Sequence, residues 1–267
     1  DEGLSLGKKL LRKLQITNEQ VTLASKRLKS GKIDARRVYA ANFENDIFYK
    51  IDRANYKPIS IHLSIDGSGS MQGEKWKQVL TNTIALGYVS LHMKNIDLTI
   101  SIRTTGINPS LSSQSEHIPL LILAFDSKKH TVSDLRKLGY YKVYGLTPEG
   151  MCLNALNKYI PSSSYYLDSY LINMSDGFPT FESSGFIYKG NSAILDTTKA
   201  VNNIKKKGVN VLSYFIETDT STFIKTNELM GDFRTMYGKS ATFIDPKNIY
   251  QVTKTLNNLF LKRDLIS

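Results

Sequence analysis

The chain has a single cysteine, Cys152, among its 267 residues, so it can form neither an internal disulfide nor a cysteine-based zinc site. Long apolar runs are also missing. The longest, such as 118–125, falls far short of the roughly 20 residues a membrane-spanning helix needs. The four histidines, His62, His92, His117 and His130, lack the His-x-x-x-His or His-Glu pairing of a zinc helix. They read as structural or surface residues, and no zinc is expected. Acidic side chains are few beside basic ones, 24 against 35, which leaves a formal net charge of +11. The remaining composition, 41% hydrophobic and 22% charged, excludes disordered and collagen-like chains. What is left is a globular chain of one large domain, or one domain with an appendage. A cytoplasmic location is the expectation.

The positive charge is concentrated. Residues 1–37 carry ten basic side chains against four acidic ones, an asymmetry that suits an acidic partner or simply a solvated helix face. Nucleic acid is the weaker candidate partner, because no zinc-finger or RNA-recognition signature accompanies the charge. Within this segment Leu4, Leu6, Leu10, Leu11 and Leu14 share one helical face. A second helix is expected over 18–28, with Asn18 as its N-cap and Gly31 near its end. A short strand or hairpin is expected over 43–53. From there the rhythm changes. Strands are expected at 59–65, 96–103, 119–125, 170–174, 209–216 and 241–244. Helices are expected at 75–93, 148–159, 192–206, near 221–230 and at 248–262. Apolar strands alternating with helices predict an α/β fold, a doubly wound and mostly parallel sheet with helices on both faces. The domain division is then 1–55, a basic helical extension with a short strand or hairpin, and 56–267, the α/β domain. In such sheets ligands bind beyond the carboxyl ends of the strands, where strand order reverses.

Three loops at that edge carry short polar residues. The first is Asp66-Gly67-Ser68-Gly69-Ser70-Met71. It is not a dinucleotide loop, since no third glycine opens the helix, and not a Walker A loop, since Gly-Lys-Ser/Thr is absent. A haloacid-type phosphatase would need a second aspartate where Ser68 stands. Without Gly-x-Ser-x-Gly, neither Ser68 nor Ser70 reads as a hydrolase nucleophile. The second loop is Gly145-Leu146-Thr147-Pro148-Glu149-Gly150, just before a helix, and the third is Met174-Ser175-Asp176-Gly177, just after a strand. Taken singly, each polar residue reads equally well as a loop or helix cap. Asp126 also follows a strand and is a further candidate for the same rim. Cys152 falls on the apolar side of its helix and reads as packed. Lys205-Lys206-Lys207 ends a helix and complements its dipole.

Taken together and in order, the three loops resemble the metal-ion-dependent adhesion site of von Willebrand factor A (vWA) domains. The resemblance implies that Ser68, Ser70 and Thr147 touch a Mg²⁺ or Mn²⁺ ion, with Asp66 and Asp176 acting mostly through bound water. Such an ion keeps one position open for a carboxylate of a protein partner, a chemistry of recognition more than of hydrolysis. The N-terminal order narrows the resemblance. A leucine-rich basic segment, then Ser30-Gly31-Lys32-Ile33-Asp34-Ala35-Arg36-Arg37, then an aromatic stretch over 43–49 leads into the metal-site strand. This order looks like the C-terminal region of CobT-like proteins. The implied role is a non-catalytic adaptor working with a MoxR-type AAA+ ATPase, as in cobalt chelatase. Two alternatives remain open: a structural or virion-associated vWA module of a bacterial virus, and a metal-dependent phosphohydrolase using Asp66. Lysine outnumbers arginine 26 to 9, as the codon bias of an AT-rich genome, of a virus or a cell, would produce.

Overall fold

The computed structural model describes residues 1–17, 21–38, 46–107, 117–183, 185–216, 223–244 and 265–266. The chain opens with helix α1 (Glu2–Thr17). Strands β1 (Val21–Leu28), β2 (Lys32–Ile33) and β3 (Phe48–Tyr56) follow. Both β1 and β2 pair antiparallel with β3, and a final short strand, β12 (Leu265–Ile266), pairs with its far end. The helix expected over 18–28 is therefore a strand from Val21 onward; Asn18 lies outside the described residues. Cross-strand pairing with the aromatic-rich partner outweighs the weak helical spacing of Leu23 and Leu28. A bulge accommodates Arg27, whose φ of 60° is left-handed, as bulged residues often are.

The main sheet has six strands in the order β11-β10-β7-β4-β5-β6. These are β4 (Ile59–Asp66), β5 (Ile96–Ile107), β6 (His117–Asp126), β7 (Asp168–Ser175), β10 (Asn210–Ile216) and β11 (Ala241–Ile244). All neighbours run parallel except β6, which is antiparallel to β5. Between the strands lie α2 (Glu74–His92), α3 (Val132–Lys137), α4 (Glu149–Leu156), α5 (Asn191–Lys205) and α6 (Phe223–Tyr237). A small hairpin, β8 (Phe181–Ser183) with β9 (Phe186–Tyr188), adds to the expected elements. The helix expected over 248–262 lies outside the described residues. Among those residues no helix is long and apolar enough to cross a membrane.

Strand parity divides the interior into two cores. Ile59, Ile61, Leu63 and Ile65 of β4 join Val79, Leu86 and Val89 of α2 and Leu135 of α3 on one face. Leu171 of β7 and Val211 and Phe215 of β10 meet α4, α5 and α6 on the other. The alternate residues of β4, His62, Ser64 and Asp66, are buried and polar, so the centre of the second face is a hydrogen-bonded layer. Helix α1 lies against α2, with Leu4 and Leu11 buried. Gly3 and Gly7 permit this close approach. A methyl on Gly7 would sit 2.8 Å from Tyr88 Cβ, and one on Gly3 2.8 Å from the Thr81 carbonyl.

Candidate functional site

The chain leaves β4 in one direction to form β5 and β6, and returns to the other side of β4 as β7. Loops following β4 and β7 therefore diverge and open a crevice at the carboxyl edge. All five residues singled out from the sequence meet there. Asp66, the last residue of β4, is fully buried and accepts the Ser68 backbone N–H at 2.9 Å on Oδ1. Its Oδ2 accepts the Thr147 hydroxyl at 3.2 Å. Ser68 Oγ and Ser70 Oγ are 3.0 Å apart, and Ser70 Oγ donates to Asp176 Oδ1 at 2.7 Å. One continuous hydrogen-bonded chain thus runs Thr147–Asp66–Ser68–Ser70–Asp176.

Backbone contacts stitch the three loops together. Gly67 N–H donates to the Arg103 carbonyl at 2.7 Å, Tyr144 N–H to Gly67 at 2.9 Å, and Gly69 N–H to Gly145 at 3.1 Å. Thr147 and Thr180 exchange backbone hydrogen bonds of 2.9 Å, which ties the threonine loop to the segment after Asp176. The turn before Thr147 requires glycine: Gly145 has φ +80°, and a side chain there would collide with Thr105 Oγ1.

Four participants escaped the sequence reading. Ser175 donates its hydroxyl to Asp66 Oδ2 at 2.9 Å; its position at the end of β7, beside Asp176, was the available signal. Lys75, in the first turn of α2, places Nζ 2.5 Å from Asp176 Oδ2. Beneath the site lies a fully buried ion pair, Arg103 Nη2 to Glu149 Oε1 at 3.1 Å. Arg103 Nη1 also donates to Ser64 Oγ and Asn173 Oδ1, each at 2.6 Å. Asn173 Nδ2 in turn reaches Glu149 Oε1, Ser213 Oγ and Tyr237 Oη. Burial pushes the Asp66 carboxyl above the usual carboxylate range, while the Arg103 charge pulls it back.

Asp126 is not part of this rim. Because β6 runs antiparallel, Asp126 pairs with Thr99 near the start of β5, at the opposite edge of the sheet. It caps a local turn there, accepting Lys128 N–H at 2.9 Å. Cys152 is buried, and burial raises its thiol to about 11, which disfavours the thiolate. The lysine run serves neighbouring helices instead of its own: Lys205 Nζ meets the Tyr237 carbonyl at the end of α6, and Lys207 Nζ the Asn157 and Ile160 carbonyls after α4. The positions of three histidines are structural. His62 bonds Ser101 Oγ, His92 the Tyr88 carbonyl, and His130 the Asp126 N–H.

No family model and no curated protein matches the sequence. Solved structures do. The pilus adhesin SpaC from Lactobacillus rhamnosus GG superposes with a TM-score of 0.55 at 14% identity, over 78% of this chain and 30% of SpaC. The vWF domain of the type V pili tip protein Mfa5 from Porphyromonas gingivalis gives 0.53 at 12% identity, over 79% of this chain and 99% of that domain. The chain has the von Willebrand factor A fold. It spans under a third of SpaC but nearly all of the Mfa5 domain, and in a vWA frame the crevice between the β4 and β7 loops is the topological switch point.

The donor set of the crevice suits a hard cation. Three hydroxyls and two carboxylates converge, all oxygen, and among the described residues no group of three or more His, Cys, Asp or Glu competes as a metal site. An octahedral ion with metal–oxygen bonds of about 2.1 Å separates adjacent ligand oxygens by about 3 Å. The Ser68–Ser70 hydroxyl separation of 3.0 Å has that spacing.

Proposed function

We propose that this loop cluster binds Mg²⁺ or Mn²⁺ and, through it, a carboxylate offered by a protein partner. The observation carrying the reading is the single hydrogen-bonded chain from Thr147 to Asp176, which gathers three hydroxyls and two carboxylates from three separate loops. Bound there, the ion would supply an electrophilic position for an incoming acid, since hard cations take six oxygens. Ser68, Ser70 and Thr147 offer neutral oxygens. Asp66 and Asp176 supply negative charge from either side of the sheet's switch point. Asp66 is a poor nucleophile for phosphoester hydrolysis: it is fully buried, and its two oxygens already accept three donors.

The proposed role is therefore that of a cytoplasmic, non-catalytic adaptor. The order of the basic leucine-rich segment, Gly31–Arg37 and the aromatic stretch supports a CobT-like protein acting with a MoxR-type AAA+ ATPase. Calorimetry tests the site itself. Mn²⁺ should bind the native chain and fail to bind Asp66→Ala and Thr147→Ala, both of which should keep a native circular dichroism spectrum. Unchanged binding in both variants refutes the site. A partner captured from the native source should then be released by EDTA and recaptured on adding Mg²⁺. Retention in EDTA with release at moderate salt would instead assign capture to the basic N-terminal segment, whose attraction is screened beyond about 8 Å.

A further inference from the structure

Resting on that metal-site reading, we infer that Lys75 is a built-in counter-charge of the cluster, lowering its affinity for the cation and leaving the loaded site positive enough to draw in an anionic partner group. The geometry is specific. Asp176 has a fully buried side chain and divides its two oxygens: Oδ1 accepts Ser70, and Oδ2 holds the Lys75 ammonium at 2.5 Å. The Lys75 side chain is itself only 16% exposed, so this is not a solvated surface pair of the kind that contributes little. Its place is otherwise unfavourable. Lys75 is the second residue of α2, where the helix dipole disfavours a cation. Long charged side chains also lose rotamer freedom when held. Asp176 is the contact that compensates both.

The charge balance gives the function. Asp66, Asp176 and Glu149 face Lys75 and Arg103, so with all five groups ionised the cluster has a formal charge of −1. Arg103 is committed to Glu149 beneath the site. Among the described residues, Lys75 is the cation paired with a carboxylate of the crevice itself. With a divalent ion bound the cluster becomes singly positive, and a partner carboxylate neutralises it. Without Lys75 the same loaded cluster would be neutral. Ion capture would be easier, and the pull on an incoming acid would be lost.

The experiment compares the native chain with Lys75→Met, which keeps the side-chain length, and Lys75→Arg, which keeps the charge. Mn²⁺ affinity is read by calorimetry, and melting temperature is read in EDTA and in saturating Mn²⁺. Removing the unit charge that Lys75 holds against Asp176 Oδ2 should tighten Mn²⁺ binding by at least roughly ten-fold in Lys75→Met. Lys75→Arg should stay within about two-fold of the native chain. In EDTA, Lys75→Met should melt below the native chain, because buried Asp176 loses its partner, and saturating Mn²⁺ should close that gap. Equal or weaker Mn²⁺ binding in Lys75→Met overturns the role of Lys75 and leaves the metal site standing. Failure of all three chains to bind Mn²⁺ overturns both.

Discussion

Arg103 and Glu149 form an ion pair with N–O distance 3.1 Å. Both side chains are fully buried in the layer below the crevice. Removing one member of such a pair leaves the other charge in the core and costs about 3–5 kcal/mol. For a domain of this size that corresponds to a fall of roughly 10 °C in melting temperature, at about 2–4 °C per kcal/mol. Glu149→Gln and Arg103→Met should each show it in urea unfolding followed by circular dichroism. The double variant should not show the sum. Arg103 Nε and Glu149 Oε2 have no hydrogen-bond partner among the described residues, so the pair never recovers its full desolvation cost. Removing both charges at once should therefore return at least about 2 kcal/mol relative to additivity. Strict additivity, or single variants costing under about 1 kcal/mol, would mean that the two groups are solvated or do not interact as described.

The remaining predictions concern the core and the N-terminal helix. His62 is buried against Ser101, and burial, helped by the Arg103 charge, lowers its pKa to about 4. The unfolded chain takes up that proton near pH 6.5 and the folded chain does not. Stability should thus fall as pH drops from about 6.5 to about 4, by about 3 kcal/mol from this group, and His62→Gln should flatten that part of a pH–stability profile; an unchanged slope would contradict the burial. Gly7→Val should lower the melting temperature by several degrees, because its side chain meets Tyr88 Cβ where α1 crosses α2, whereas exposed Lys8→Val should be nearly neutral; equal effects would show that α1 is not docked there.

Much of the architecture is legible in the sequence because it rests on local periodicity. The parallel strands and α2, α4 and α5 follow apolar spacing, and their observed bounds differ from expectation by a few residues at most. The site loops are legible for a related reason. Asp66, Ser68 and Ser70 lie within one short turn, and the threonine and second aspartate each sit where a strand or loop meets the sheet edge. What fails to show is whatever depends on a partner distant in sequence. Residues 21–28 read as helix until β3 supplies a pairing edge. Asp126 reads as a rim residue only if β6 runs parallel to its neighbours, and it does not. A signal of that direction is present in the sequence, since only nine residues separate Ile107 from His117, too few for the crossover a parallel pairing requires.

Lys75, Arg103 and Glu149 are invisible for a deeper reason, which follows from strand parity. Asp66 must end β4 facing the crevice, and a period of two then commits Ser64 and His62 to the same face. In register beside them, β5 places Ser101 opposite Ser64 and Arg103 opposite Asp66. A carboxylate at the strand end thus obliges the fold to carry polar residues inward along two neighbouring strands, and each must find a partner once buried. Asn173 on β7, Glu149 at the start of α4 and Tyr237 at the end of α6 supply those partners. The same Glu149 stands two residues after Thr147. The buried layer therefore fixes the threonine loop against Asp66 from below, while the backbone exchange with Thr180 fixes it from the side. The crevice loops, joined by single contacts, thus rest on a polar layer whose hydrogen bonds link β4, β5, β7, α4 and α6.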